Sequence, residues 1–501
     1  MVTLHSSSLQ PKLIVIAITL IALLSGCRPA PANYQAEKSQ VFSKAAIAGP
    51  HSLATEIGKE VMLKGGNAID AAVAVQFAMA VCYPRAGNLG GGGFLVYRGA
   101  DGTKASLDYR ERAPAAATRD MYLDENGDVK PDVSTRGHLA VGVPGTVAGI
   151  EAMYDRYGSL PWTELVQPAI DLAQYGYKIS SAEAGRLNGY MPDFREFNEV
   201  SPFIKDTFIT GEVIKQVELA ATLRLIQEQG ADGFYKGKTA DLLVAEMQSG
   251  GGLITKKDLA EYEVSWRKPI EKMVDNLNVI SMPPSSSGGV ALAQMLGMVN
   301  PFELAEMGFQ STAATHLMVE AERRAYADRA EYLGDSDFAD VPVDELISNE
   351  YLTERMSDFS RDKAGTSDSV LAGEVDTKES FETTHISIVD TFGNAVSITT
   401  TLNGNFGSKV IVDGAGFFLN NEMDDFSSKP GVPNMFGLVG AEANAIAPGK
   451  RMLSSMTPTI VEKNGQLFMV LGAPGGSTII TAVYQTLLNV TEFNMPLDSA
   501  I

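Results

Sequence analysis

The sequence predicts a mixed helix-and-sheet protein of the α/β (α+β) kind, on three observations. Helical patterns cover 51 to about 81 and dominate from residue 144 to about residue 333, a polar stretch occupies 358–382, and alternating strand patterns begin at residue 383. At 501 residues the chain exceeds one small core. Either a few units of roughly 100–200 residues each or one large layered α/β unit suits that length. A composition with 45% apolar and 20% charged residues is that of an ordinary globular protein. The formal charge of −21 repels phosphate backbones, so nucleic acid is a poor partner. It does not exclude an anionic substrate held by a local Arg. Two cysteines, Cys27 and Cys82, build no disulfide framework if Cys27 is otherwise used. No Cys/His cluster has zinc spacing and the five histidines form no HExxH pattern, so the sequence calls for no metal and no cofactor.

In chain order, Met1–Ala30 reads as an export signal. Lys12 precedes the apolar run Leu13–Leu24, which is shorter than the roughly 20 residues that span a bilayer. Leu24-Ser25-Gly26-Cys27 resembles the bacterial lipobox, so residues 1–26 are expected to be removed and Cys27 to be acylated; a plain signal peptide is the other reading. Arg28 after the Cys favours, by the same resemblance, the periplasmic side of the outer membrane, with Ala30–Ser43 as a polar tether. Leu53, Ile57 and Val61 define an amphipathic helix over His51–Lys64 that Gly65-Gly66 ends. Asn67 caps an Ala-rich helix reaching about Val81, apolar almost all round and therefore expected between layers. Gly90–Gly93 lead into Phe94-Leu95-Val96-Tyr97. With no following helix and no Lys-Ser/Thr, this is a turn into a strand rather than a phosphate loop. Helical patterns dominate from Pro144 to about Leu333, Thr312–Tyr332 most clearly, with a loop at Pro283–Gly289. Asp358–Glu382 has the composition of an exposed, mobile linker.

Beyond it, Ile386 and Ile388 alternate in one run and Val396 and Ile398 in the next, around Thr391-Phe392-Gly393. A three-residue hairpin loop wants Gly at its last, left-handed position. Pairing apolar with apolar sets Ile388 against Val396 and Ile386 against Ile398. The same register puts Thr383 opposite Thr401, with Asn403 two residues on along the same face. On its own this hairpin reads as a sheet edge with ordinary cross-strand threonine pairs. Farther on, Leu467–Leu471 reads as a buried strand leading through Gly472-Ala473-Pro474-Gly475-Gly476-Ser477 to a helix from Thr478. Backbone N–H groups at such a junction favour negative charge; a tight turn is the plain alternative.

These motifs occur together with Asp108-Tyr109-Arg110-Glu111, Met282-Pro283-Pro284, Tyr326-Ala327-Asp328-Arg329, Asn420–Phe426, Lys429–Asn434 and Leu453-Ser454-Ser455-Met456. In that order, from about Ala45 to the last residue, the sequence resembles the gamma-glutamyltranspeptidase family of N-terminal-nucleophile hydrolases. The resemblance implies a four-layer αββα sandwich and self-cleavage between Glu382 and Thr383. The resulting large subunit 27–382 and small catalytic subunit 383–501 would form a heterodimer. It implies γ-glutamyl compounds such as glutathione as substrates, and an amino acid or dipeptide as acceptor beside water. Thr383 is then the nucleophile, oriented by Thr401, and its own freed amine is the base. Arg110, which alone would read as a surface ion pair, binds the substrate carboxylate with Ser454 and Ser455. Glu422, Asp425 and Asn403 take the substrate ammonium, and Gly475 and Gly476 form the oxyanion hole.

Two departures from the family pattern carry expectations of their own. Many bacterial members have Tyr where Phe436 stands in the lid loop Pro430–Ala441, so that loop is expected to be looser. Family small subunits run several tens of residues past Ile501, so the chain is expected to be a fragment. Two other readings remain: an acylase acting on glutaryl-β-lactams or poly-γ-glutamate, and a binding lipoprotein that has lost catalysis.

Overall fold

The computed structural model describes residues 39–366 and 383–501. Two antiparallel sheets hold ten strands, numbered in chain order: β1 Ala46–Ala48, β2 Gly92–Arg98, β3 Lys104–Asp108, β4 Ser265–Arg267, β5 Ile270–Val274, β6 Leu277–Ser281, β7 Thr384–Val389, β8 Ala395–Thr401, β9 Thr459–Lys463 and β10 Gln466–Leu471. The first sheet has the order β1-β7-β8-β2-β3-β4, the second β10-β9-β6-β5, and a separate two-stranded ribbon joins Tyr177–Lys178 to Val213–Ile214.

Period-2 side chains make these sheets the two inner layers. In β2, Leu95 and Tyr97 join the core against helices α1 (Ser52–Leu63) and α2 (Ala68–Cys82), while Phe94 and Val96 pack with Ile280, Met282 and Ile460 of the second sheet. On the far face, Leu277, Val279 and Val461 meet helices α3 (Gly288–Val299), α4 (Thr312–Tyr332) and α5 (Ile479–Thr491). The order is helix, sheet, sheet, helix, the four-layer αββα sandwich. Every residue of α2 is buried, which explains its lack of a polar face. Asn67 caps it through a reciprocal box with Asp70.

The β7–β8 hairpin has the register that its apolar alternation predicts, with Ile388 opposite Val396 and Ile386 opposite Ile398. All four side chains are fully buried. Each contributes about 1.5–3 kcal/mol relative to exposure. Gly393 takes φ +91°, and Asp390 Oδ1 accepts the N–H groups of Phe392 and Asn394, both at 2.9 Å. Asp390 Oδ2 accepts the Ala68 N–H at 2.8 Å, tying the turn to the start of α2, where a helix favours negative charge.

Three expectations change. The span from Pro144 to Leu333 is not helical throughout: β4, β5 and β6 lie inside it. Asp275-Asn276 turns β5 into β6, with Asp275 at φ +51°, and that dipeptide is the hairpin signal the helical reading passed over. Strand β10 is half-buried rather than buried, because it is the edge of its sheet. The start of the polar stretch is docked: Asp358 pairs with Arg324 at 2.6 Å, and the Gly365 N–H donates to Glu320, so α4 holds it by charge. The remainder of that stretch, with Glu382, and the N-terminal segment with Cys27 lie outside the described residues. Among the described residues no helix is long and apolar enough to cross a membrane.

Candidate active site

Strand ends build the site. Strands β8 and β3 finish side by side, since Thr401 pairs with Gly92 and Asp108 with Phe94 of the same β2. In the second sheet β6 and β10 finish where β9 starts, Thr459 facing both Ser281 and Leu471. One step beyond the Thr384–Thr400 pair, Thr383 stands opposite Thr401. Arg110 follows β3 by two residues. Glu422 and Asp425 occupy a single 3-10 turn, Glu422–Asp425. Ser454 lies alongside Ser286 in a parallel bridge. Gly475 and Gly476 bridge β10 and α5, and both are buried.

A single small cavity of about 20 Å³ is lined by Thr383, Thr401, Asn403, Arg110, Glu422, Asp425, Ser454, Ser455 and Gly476. Of the residues singled out in the described part of the chain, only Gly475 stands outside that lining. Thr401 Oγ accepts the Asn403 N–H at 2.8 Å, which turns its proton away from that amide. Asn403 sits at φ +71°, and its Nδ2 donates to Asn421 O at 3.0 Å. Gly475 and Gly476 have φ +126° and +50°, backbone that an L side chain enters only with strain. A Cβ on Gly476 would lie 2.6 Å from the Phe436 ring. The helix that follows leaves its first amides without internal partners, so N–H donors are supplied at this point.

Arg110 is buried, not on the surface. Its Nη1 contacts Glu422, its Nη2 contacts Asp425, and its Nε donates to Met452 O at 3.3 Å. Burial pushes Glu422 well above the usual carboxylate range and Asp425 upward, while Arg110 pulls both back. Burial also drives the neighbouring Glu111 up to about 7. For Arg110 itself burial acts downward, and the charges of Glu422, Asp425 and Glu111 outweigh it, so the guanidinium is held above its ordinary value. The site thus offers two hydroxyls on facing strands, a cation clasped by carboxylates, two serines and a glycine turn with amide donors.

Residues 54–501 match the family model described as Gamma-glutamyltranspeptidase. The chain belongs to the gamma-glutamyltranspeptidase family. It is 48% identical over 453 residues, 90% of this chain and 79% of the relative, to a glutathione hydrolase proenzyme of Pseudomonas sp. (strain A14). Among solved structures it resembles the gamma-glutamyltranspeptidase of Helicobacter pylori, 43% identical with TM-score 0.64, over 66% of this chain and 96% of that one. It also resembles the cephalosporin acylase of Bacillus halodurans, 26% identical with TM-score 0.79, over 93% and 84% of the two chains.

In this gamma-glutamyltranspeptidase fold several residues bear on the site that sequence reasoning did not single out. Asp424, pushed up to about 6 by burial, accepts from the Ser134 hydroxyl at 2.7 Å and the Met435 N–H at 2.9 Å. Asn434 Nδ2 donates to Asp425 at 2.9 Å, and Asn434 Oδ1 accepts the N–H groups of Phe436 and Leu438. Loop 430–441 is therefore fastened through Asn434, and Phe436 lies buried against Gly476. These amide contacts anchor the loop without the phenol that Phe436 lacks. Arg329, quoted above only as part of a family string, is buried in α4 and donates to Ser287 and Ser455. Its signal was a run of charges at helical spacing, Glu320, Arg324 and Asp328, on a face that also carries Ala321 and Ala325.

Proposed function

We propose that this chain is a self-processing γ-glutamyltransferase and hydrolase acting on glutathione and related γ-glutamyl compounds. The observation that carries the proposal is the convergence on one cavity of Thr383, at the head of β7, with Thr401, Arg110, Asp425, Ser454, Ser455 and Gly476. The family membership supports it.

In the precursor, the Thr383 hydroxyl attacks the Glu382 carbonyl, and water resolves the resulting ester. This leaves Glu382 with a carboxylate and Thr383 with a free α-amine. An α-amine titrates near pH ~7.7–8, so at neutral pH part of it accepts the Thr383 hydroxyl proton. Thr383 Oγ then attacks the γ-carbonyl of the substrate. The tetrahedral oxyanion forms against the amides of Gly475 and Gly476. Donors placed for developing charge contribute about 2.7–4 kcal/mol each to such a barrier. Collapse expels the amine, Cys-Gly in the case of glutathione, which leaves with the proton that the α-amine took up. Water or an acceptor amine then attacks the γ-glutamyl-threonine ester by the same steps. The substrate ammonium exchanges for Arg110 at Asp425 and Glu422, with Asn403 Oδ1 as a further acceptor. The freed edge of Arg110 takes the α-carboxylate, with Ser454 and Ser455. The likeness to a cephalosporin acylase favours one second reading, an amidase for glutaryl-β-lactams on the same nucleophile.

The test is a denaturing gel with N-terminal sequencing and γ-glutamyl-p-nitroanilide and glutaryl-p-nitroanilide assays. Wild type should give two bands, the smaller beginning Thr-Thr-His-Ile, and release nitroaniline from the γ-glutamyl substrate. Thr383→Ala should give one band and no release. An active single-band wild type would sink the proposal, and a preference for the glutaryl substrate would select the second reading. The lipobox-like Leu24–Cys27 supports a lipid anchor on the periplasmic side of the membrane. The same preparation fractionated from cells carrying Cys27→Ser should move from membrane to soluble fraction.

A further inference from the structure

Arg329 carries a charge with no evident use. It is only 4% exposed, yet no carboxylate lies within ion-pair distance of it among the described residues. Its hydrogen-bond partners are neutral hydroxyls: Nε donates to Ser287 Oγ at 3.0 Å and Nη2 to Ser455 Oγ at 3.3 Å. Other buried arginines nearby are matched. Arg110 touches Glu422 and Asp425, Arg451 faces Asp108 at 3.2 Å, and Arg324 pairs with Glu320 at 2.6 Å. Burying an unpaired guanidinium is costly, and a fold keeps such a group where something else balances it. Burial accordingly pulls Arg329 below the usual guanidinium range, and Asp425 across the site is the carboxylate whose field reaches it.

Its position indicates what balances it. Ser455 lines the cavity and stands between Arg329 and the space beside Thr383. Ser287, held by Ser454 O at 2.6 Å, fixes the other edge of the guanidinium. By accepting from Arg329, Ser455 Oγ has its own proton free to donate into the cavity. The serine hydroxyl then presents a donor backed by a full positive charge. Arg110 has no such surplus until the substrate ammonium takes over its carboxylate partners, since both of its terminal nitrogens touch them.

We propose that Arg329 is a specificity-determining positioning residue, which acts through Ser455 to add a second counter-charge, beside Arg110, for the α-carboxylate of the acyl group. This rests on the function proposed above and names the part of the substrate that Arg329 reads. The test compares two substrates on each preparation: γ-glutamyl-p-nitroanilide, and 4-aminobutyryl-p-nitroanilide, which keeps the amine and lacks the α-carboxylate. Taking the ratio of their kcat/KM values cancels any loss of folded enzyme. In Arg329→Met that ratio should fall roughly ten- to hundredfold, the range of a lost charged hydrogen bond, with KM for the γ-glutamyl substrate carrying most of it. Arg329→Lys keeps the charge but loses the reach to Ser455. It should fall by a smaller factor, and it carries the test should the methionine variant fail to accumulate. Combining Arg329→Lys with Ser455→Ala should produce no further fall beyond Ser455→Ala alone. A ratio unchanged in both Arg329 variants, with both substrates slowed alike, overturns the inference and leaves a structural role. Absence of γ-glutamyl activity in wild type would instead overturn the function proposed above.

Discussion

His385 shows how a titratable side chain two residues from the proposed nucleophile is kept out of the chemistry. The Ser387 hydroxyl donates to Val470 O at 3.1 Å, so it accepts from His385 Nε2, and Nδ1 is left to accept from Thr399 at 2.9 Å. The ring is thereby held as its neutral Nε2–H tautomer, and the surrounding packing lowers its pKa to about 3 from an ordinary 6.5. A base whose pKa is depressed by folding binds more protons unfolded than folded between those values. Its stabilisation is complete above pH 6.5 and drains away as pH falls toward 3. Relative to His385→Gln, wild type should therefore lose about 1 kcal/mol between pH 7 and pH 5, with allowance for its partly exposed edge. Urea unfolding of both proteins at the two pH values measures this, and a gap that does not move with pH contradicts it. Arg110 and Arg329 make the complementary point at the same scale. Each is one letter in the sequence, and nothing local tells a buried guanidinium from a solvated one. Arg110 was legible only through the family resemblance, and Arg329 only once Ser455 lay beside it.

Among the elements, the β7–β8 hairpin was the most legible, because alternation, turn length and a left-handed Gly all demanded one register. Helix α4 was equally plain, with its bounds Thr312–Tyr332 matching the run of helix formers. Strands β5 and β6 were missed although Asp275-Asn276 announced them, since long helical stretches on both sides dominated the reading. The loop over the cavity depends on partners remote in sequence from its own pattern. Asn434 holds both Asp425 and two amides of the loop. Removing an anchor of that kind leaves buried polar groups unsatisfied, at about 1–3 kcal/mol. Asn434→Ala should therefore be cut faster than wild type within 429–440 under limited proteolysis, and KM for γ-glutamyl-p-nitroanilide should rise. Equal cleavage rates would show that the loop is held by something else.

Across the whole molecule, most helices and the strands β2, β7, β8 and β10 could be read from sequence pattern, but the stacking of four layers could not. Layering depends on which sheet faces which, and only the family resemblance supplied it. Phe94 and Val96 meet Ile280, Met282 and Ile460 in the seam between the sheets, and β7 pairs with both β1 and β8. Residues on both sides of the proposed cut share that core. The two chains should consequently unfold together in urea. Fluorescence of Trp162 and Trp266, both in the preceding segment, should change at the same midpoint as chain dissociation on size exclusion. Separate midpoints would mean separate cores. The strand order of the first sheet also sets a timetable. Two of its interior strands come from residues 384–401, whereas the other four strands are contributed before residue 268. During synthesis, most of that sheet waits with open edges until residues 384–401 emerge. The cavity also takes Gly476 into its lining, so the cleavage proposed above should not precede the emergence of that residue.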